Sequence, residues 1–336
     1  MILDAFNHFT PTTVFERFKE AAPNHVGLQA FGSLPALWDI DVRLKLVDQY
    51  ADYQQVLSLG NPPIEVLGSP ETSLYLAQLA NDELAAVCTK YPDQFPAFTA
   101  SLPMNDPDAA VKEAERAIST LGARGIQIYT NILGQPLSLS KFTPLFDFMA
   151  SCDLPVLIHP ARGADFADYS TENASENEIW FTFGWPYETT ACVTRLIYSG
   201  LFDRLPTIKI LTHHMGGMIP YFADKIALGF MQIFHGEPGR NPLAEKAGLK
   251  KQPIDYYHML YGDTALNGSL DAMRCGHAFF GTDRSIFATD APFDSIGGRG
   301  LIGKSITAVN SLEVDLPSRA RIFHANARSL FHLDRV

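Results

Sequence analysis

Four stretches of this 336-residue sequence place imidazole or carboxylate groups at the ends of short apolar runs. They are Asn7-His8, Leu157-Ile158-His159-Pro160, Leu211-Thr212-His213-His214-Met215-Gly216-Gly217 and Ala288-Thr289-Asp290-Ala291-Pro292. His8, His159 and Asp290 together offer two neutral imidazole nitrogens and one carboxylate oxygen. That donor set suits Zn²⁺ or another borderline divalent ion, with positions left open for water or substrate. His213 or His214 is then free to act as general acid or base. A lone histidine at such a place is ordinarily packed or hydrogen-bonded; four chain segments ending alike point to a metal-type site.

The other histidines (His25, His235, His258, His277, His324 and His332) fall in helical patterns, loops or a strand start and read as structural or exposed. Asp263, closing Leu260-Tyr261-Gly262-Asp263-Thr264, either orients a ligand or caps the helix that follows. An acidic substrate needs a nearby cation. Arg43, behind Trp38-Asp39-Ile40-Asp41-Val42, and Lys225, downstream of the His213-His214 pair, are the leading candidates. The plainer reading of Arg43 is a helix-face ion pair with Asp39 or Asp48. Arg162 and Arg284 have weaker grounds.

What must position these groups is a recurring unit, a short apolar run followed by a longer amphipathic stretch. The runs are Ile2–Phe6, Gln55–Leu59, Ala97–Ser101, Gly125–Tyr129, Pro155–His159, Ile208–Thr212, Met259–Asp263 and Ser285–Asp290, and they fit strands buried on both faces. Helical patterns cover Asp41–Tyr50, Ser73–Tyr91, Asp106–Leu121, Leu139–Ser151, Tyr187–Gly200, Ile219–Gln232 and Ser269–Cys275. Asp106-Pro107 is a capped helix start and Leu121-Gly122 a glycine stop. The segment Pro317–Leu333 reads as a terminal helix packing outside. Eight strands alternating with helices predict a (β/α)₈ barrel spanning residues 1–336 as one domain, with catalytic groups at the strands' C-terminal ends. A doubly wound sheet is disfavoured because no G-x-G-x-x-G follows the first strand and no Walker sequence occurs. The stretches Thr10–Trp38 and Phe234–Tyr257 exceed ordinary βα loops and are expected as insertions over the C-terminal face. Trp180, Phe181, Phe183 and Trp185 make the loop Arg162–Trp185 aromatic, which suits a flat unsaturated ligand or a subunit contact.

Composition narrows the partners. Hydrophobic residues make up 46% and charged residues 19%, as in a folded globular chain rather than a disordered one. A net charge of −11 argues against nucleic acid or an anionic membrane as partner. No apolar run approaches a membrane span, and no signal peptide is visible, so a cytoplasmic location is expected. Cys88, Cys152, Cys192 and Cys275 are widely spaced and read as free thiols.

The ordered set of motifs resembles the amidohydrolase-related family typified by aminocarboxymuconate semialdehyde decarboxylase and γ-resorcylate decarboxylase. The matching pieces are Trp38-Asp39 to Arg43, Val56–Leu59, Ala110–Arg116, Gly125–Ile128, Val156–Pro160, Pro186–Thr190, His214–Pro220, Phe287–Phe293 and Asn326-Ala327. The resemblance implies a metal-dependent barrel, a homodimer or larger, acting on small unsaturated or aromatic carboxylates with zinc or manganese. Carried over by position, it implies His8, His159 and Asp290 as metal ligands. It makes His214, with Asp290, the proton-handling pair. His213 becomes an extra imidazole counted with Arg43 and Lys225 as substrate-contacting. The family's first strand carries H-x-H or E-x-H, and here that pair is Phe6-x-His8, so one ligand is replaced by a side chain that cannot coordinate. Asn7 points to the other face of a regular strand, and Asp4 lies deeper on the same side. Lys225 stands where some of these decarboxylases carry an arginine, keeping the charge but losing the bidentate fork.

Three activities follow. The first is non-oxidative decarboxylation of a small unsaturated or hydroxy-aromatic carboxylate. The second is metal-assisted hydrolysis or hydration of a C–C, ester or lactone bond. The third is a silent barrel that binds a carboxylate, for which Phe6 is the support.

Overall fold

The computed structural model describes residues 1–229 and 240–334. Its centre is a closed ring of parallel strands. These are β1 (Ile2–His8), β2 (Tyr53–Ser58), β3 (in two pieces, Ala97–Phe98 and Ala100–Ser101), β4 (Ile126–Tyr129), β5 (Pro155–His159), β6 (Lys209–Thr212), β7 (Tyr261–Asp263) and β8 (Ser285–Ile286). Each pairs in parallel with the next. β3 breaks at Thr99 because its first piece pairs with β2 and its second with β4. The ring closes between the end of β8 and β1. There Ala5 N–H donates to the Phe287 carbonyl (2.9 Å), Asp290 N–H to Phe6 (3.2 Å) and His8 N–H to Ala291 (2.8 Å).

Helices cover the outside between successive strands, starting where the sequence supplies caps. Asp106 accepts from Ala109 N–H at 3.1 Å ahead of Pro107, Ser69 caps Pro70–Lys90 and Ser269 caps Leu270–Phe280. Two apolar layers result. Side chains on the outer faces of the strands pack against the helices. A second cluster, with Leu3, Phe6, Val56, Leu157, Leu211, Ile286 and Ala288, fills the ring itself.

The terminal segment differs from expectation. It forms short pieces through Asn326–Leu330, and Ala327, Leu330 and Phe331 are buried in the same cluster as Leu3 and Leu157. Its apolar spacing serves the barrel interior, so it seals the ring instead of lying outside it.

The long β1–β2 connection is not an irregular loop. It contains helices Thr12–Ala21 and Val26–Phe31, whose Val14, Phe15, Phe18 and Leu28 pack with Leu59, Ile64 and Leu76 in a cluster of their own. This layer lies beside the rim: Phe31 touches Phe293 (5.3 Å between centroids), and Phe293 touches His8 (5.4 Å). Of the expected insertion 234–257, residues 234–239 lie outside the described part. From 240 onward it holds helices Pro242–Lys246 and Pro253–Tyr257. Residues 230–232 of the expected helix Ile219–Gln232, and His235, also lie outside; the helix described there is Ala223–Leu228. Among the described residues, no helix is long and apolar enough to cross a membrane. All four cysteines are free thiols.

Candidate metal centre

His8 ends β1, His159 ends β5, His213 follows β6, and Asp290 lies beyond β8. One donor atom from each lies within 4.8 Å of the others. The three histidines are fully buried, and Asp290 nearly so. Each imidazole is anchored through its outer nitrogen. His8 Nδ1 bonds the Leu59 carbonyl (3.0 Å), His159 Nδ1 the Pro160 carbonyl (2.7 Å) and His213 Nδ1 the Asp263 carboxylate (2.5 Å). Carbonyls and carboxylates only accept, so these bonds put each ring proton on Nδ1 and turn the Nε2 lone pair inward.

All three Nε2 atoms and Asp290 Oδ1 are buried without a hydrogen-bond partner. His8 and His213 Nε2 lie 3.2 and 3.5 Å from Asp290 Oδ1 but make no hydrogen bond with it. Four orphaned polar atoms converging on one point would be costly in an empty apolar interior. They are the donor set of a divalent cation, and the residues fit one.

Electrostatics agree. Burial alone would raise the Asp290 pKa, yet the imidazoles of His213, His214 and His8 gathered around it hold its carboxyl well below the ordinary range. Burial lowers His159 far below the usual imidazole value, with the neighbouring imidazoles adding to the effect. For His213 burial opposes protonation, but Asp263 and Asp290 outweigh it and raise the imidazole to about 10.

His214 stands just outside this quartet. Its Nε2 reaches Asp290 Oδ2 at 3.5 Å, so one carboxylate faces the cluster through Oδ1 and His214 through Oδ2. Regular alternation would point His214 away from the barrel axis. A left-handed backbone at His214 (φ 54°) and Met215 (φ 52°) brings it back, and Asp290 is left-handed too (φ 60°). Non-glycine residues pay strain of about 1–2 kcal/mol in that region, and such strain collects at functional sites. Gly217 (φ 64°) could not be otherwise: a Cβ there would lie 2.4 Å from the Pro186 carbonyl. The half-buried Trp185 stacks on His214 at 6.2 Å and 28° and meets His159 edge-on at 5.3 Å.

The expected residues separate by location. His8, His159, Asp290 and His214 come together. His213, expected to touch substrate, lies inside the quartet with its inner nitrogen aimed at Asp290. Arg43 is fully buried beneath the site, donating to the His8 carbonyl and to Gln55 (3.4 Å); it pairs with neither Asp39 nor Asp48. Burial lowers its pKa to about 10 despite Tyr53 and Asp4 nearby. It supports the strand carrying His8. Lys225 is exposed on helix Ala223–Leu228, 5.8 Å from the Phe222 ring, and in this chain it does not reach the cluster.

Phe6 packs 4.1 Å from the His213 ring centroid, so it occupies its place in the lumen as a wall. Asp4 accepts from the Thr289 and Tyr53 hydroxyls, both at 2.5 Å, and Asn7 donates to the Asp4 and Val56 carbonyls. Neither joins the quartet. Of the two roles considered for Asp263, the structure shows the orienting one: Oδ2 holds the His213 ring, while Oδ1 accepts from Ala265 N–H at 3.1 Å and the following helix is capped by Ser269 instead. Arg162 pairs with Glu188 at 3.3 Å, and Arg284 donates to the Met259 carbonyl.

A parallel barrel with three inward imidazoles and a carboxylate at its C-terminal rim defines a metal-dependent barrel protein. The comparisons make the class specific. The amidohydrolase signature matches residues 50–333. γ-Resorcylate decarboxylase from a Rhizobium species is 30% identical over 88% of this chain and 87% of its own length. The structure of 2,6-dihydroxybenzoate decarboxylase from Rhizobium superposes with a TM-score of 0.79 at 27% identity, covering 99% of both chains. The dihydroxybenzoic acid decarboxylase of a Polaromonas species, solved with manganese and 2-nitroresorcinol, gives 0.80 at 25% identity, covering 100% of this chain and 98% of that one. The chain belongs to the amidohydrolase family, in the group that holds these decarboxylases.

Proposed function

We propose that this protein is a metal-dependent, non-oxidative decarboxylase of a small hydroxy-aromatic or unsaturated carboxylate. The observation that carries the reading is the quartet of orphaned donor atoms with the His214–Asp290 pair at its edge, in a chain 30% identical to γ-resorcylate decarboxylase. When bound by His8, His159, His213 and Asp290, a divalent ion supplies Lewis acidity toward a carboxylate or phenolic oxygen. Manganese is present in the Polaromonas relative, and zinc suits the imidazole-rich donor set equally.

The protein's own residues handle the proton. The one held between His214 Nε2 and Asp290 Oδ2 is delivered to the carbon that bears the carboxylate. The C–C bond then breaks, its electron pair returns to the ring or alkene, and CO₂ leaves. Water restores the proton to the pair. Trp185 covers His214 and offers a flat apolar wall to a planar substrate.

The substrate is a small anion, and neither nucleic acid nor membrane is a partner in this reading. Exposed Phe183, Tyr187 and Tyr221 support assembly as a homodimer or larger oligomer. Lys225, exposed one helical turn after Tyr221, would then contribute its charge to a neighbouring subunit's site. The acidic composition and free thiols support a cytoplasmic location.

The test is CO₂ release from hydroxybenzoates and muconate semialdehydes by protein loaded with manganese or zinc. His214→Ala should retain metal and fold while losing turnover by 10²-fold or more, the order expected for a general acid. Full activity in that variant, or hydrolysis of lactones or esters with no CO₂ release, would overturn the proposal.

A further inference from the structure

Asp4 and Glu65 are buried carboxylates outside the quartet that the proposed chemistry does not use. Glu65, pushed up to about 7 by burial, faces a cavity of about 10 Å³ beside Gln127, room for one water. Asp4 is instead saturated with hydrogen-bond donors, and two of them belong to Thr289, the residue before Asp290.

Asp290 is a side chain with two duties. Its Oδ1 is turned to the quartet and its Oδ2 to His214, so rotating the carboxylate serves one at the expense of the other. Its backbone is left-handed (φ 60°), a conformation that persists in a non-glycine residue only where the surroundings hold it. Those surroundings lie on either side of it in the chain. Thr289 N–H donates to Asp4 Oδ1 at 3.1 Å, and the Thr289 hydroxyl donates to Asp4 Oδ2 at 2.5 Å. The same hydroxyl accepts from Ala291 N–H at 3.1 Å. A hydroxyl has one hydrogen, and committing it to Asp4 leaves a lone pair for Ala291. Asp290 is thus bracketed by the residue before it and the residue after it. Asp4 is fixed in turn: the Tyr53 hydroxyl donates to its Oδ2 at 2.5 Å while accepting from Gln55 Nε2 at 3.1 Å, and Phe6 N–H donates to Oδ1 at 3.4 Å. Asp4 and Thr289 are both fully buried.

We propose that Asp4, acting through the Thr289 hydroxyl, is the positioning residue that fixes the Asp290 carboxylate between the metal centre and His214. An aliphatic side chain at position 289 would keep the shape and the Thr289 N–H bond to Asp4, but it would strip the Ala291 N–H of its acceptor. The turn then relaxes, and the carboxylate is free to rotate. The inference rests on the quartet as a site for a divalent ion and is independent of the reaction that follows.

The experiment compares Thr289→Val, which preserves shape and removes the hydroxyl, with Thr289→Ser, which returns it. Chelator competition measures Mn²⁺ affinity, the EPR spectrum of the Mn²⁺-saturated protein reports the symmetry of its ligands, and CO₂ release gives kcat and KM. Thr289→Val should lose metal affinity by about 10–100-fold, change the zero-field splitting of the saturated sample, and lower kcat with KM close to wild type. Thr289→Ser should restore all three. A merely structural role would lower the unfolding temperature and leave the saturated spectrum and the affinity as in wild type; that result, or failure of Thr289→Ser to restore them, would overturn the proposal. Should Thr289→Val not fold, Asp4→Asn decides. Its amide keeps one acceptor and sets hydrogens against a hydroxyl or N–H that the carboxylate accepted, so affinity should fall in the same direction by less, and wild-type values there would overturn the proposal. The expected spectrum and affinity changes in a protein that releases no CO₂ would leave the positioning role standing and sink the decarboxylase. CO₂ release with unaltered spectrum and kcat in Thr289→Val would do the reverse, and a wild type that binds no metal would overturn both.

Discussion

Replacing Asp263 by asparagine changes one atom and sets two hydrogen bonds against each other. Both carboxylate oxygens are in use, Oδ2 on His213 Nδ1–H at 2.5 Å and Oδ1 on Ala265 N–H at 3.1 Å. Asparagine has one acceptor oxygen. Turned toward His213, it sets its amide hydrogens against the Ala265 N–H and strands a buried donor, a loss of about 1–3 kcal/mol in folding stability. Turned toward Ala265, it presents N–H to His213 Nδ1, which must then accept. The imidazole proton moves to Nε2, and one of the four inward donor atoms is blocked.

Either way the carboxylate's hold on the ring is gone. Outer-sphere partners of this kind are worth about 10–100-fold in metal affinity, or ~1.4–2.8 kcal/mol. Chelator-competition titration of Zn²⁺ or Mn²⁺ into metal-free protein measures the affinity, and thermal unfolding of the same metal-free samples measures the stability separately. Wild-type affinity in a folded Asp263→Asn variant would refute the reasoning, because His213 would then need no orienting carboxylate.

Three further outcomes follow from the same geometry. His213 in the metal-free protein is raised to about 10, so at pH 8 it carries a proton that metal must displace. Calorimetry in two buffers of different ionisation heat should find about one proton released per ion, with affinity falling as pH drops; no release would contradict the assignment of Nε2 as a donor. Glu65 is held near 7 against 4.5 when unperturbed, so its contribution to stability is lost as pH rises through that interval. Glu65→Gln should therefore gain on wild type from near zero at pH 4 to about 3 kcal/mol at pH 8, and a pH-independent difference in denaturant melts would argue against it. Phe6→Ala opens a hole beside His213 and should cost about 3–5 kcal/mol while leaving roughly one metal equivalent bound; loss of metal from a folded variant would mean that Phe6 does more than pack.

Much of this was legible in the residues. Pro155–His159 is the same strand in sequence and structure, because an unbroken β-favouring run ends at His-Pro. β8 is the contrast. The run to Asp290 reads as one strand, but only Ser285–Ile286 pairs with β7, since the chain then turns to meet β1. The role of His213 was available in the alternation of side chains. Leu157 and Leu211 fill the ring, so His159 and His213, two residues further on, face the same way. Phe6 with His8 and Ala288 with Asp290 repeat the pattern. His214 breaks it, and only the left-handed turn explains why it still reaches the site. Glu65 belongs to no motif, and nothing but the packing of the rim brings it to the same cavity as Gln127. Arg43 was misleading because its charge suggested substrate, whereas helix Ile40–Val47 turns it into the protein.

The quartet sits across the seam where the first strand meets the last. Thr289 donates to Asp4 there across 285 residues of chain, and His8 and Asp290 stand immediately beside that bond. Contacts of such sequence separation are entropically the hardest to make and form late. His8 is made first and waits for nearly the whole polypeptide before its partner Asp290 exists. A complete ion site is thus a record that the ring has closed. An ion that binds only the closed ring pulls that closure forward by mass action. For this chain, acquiring metal and finishing the ring are linked equilibria, each favouring the other.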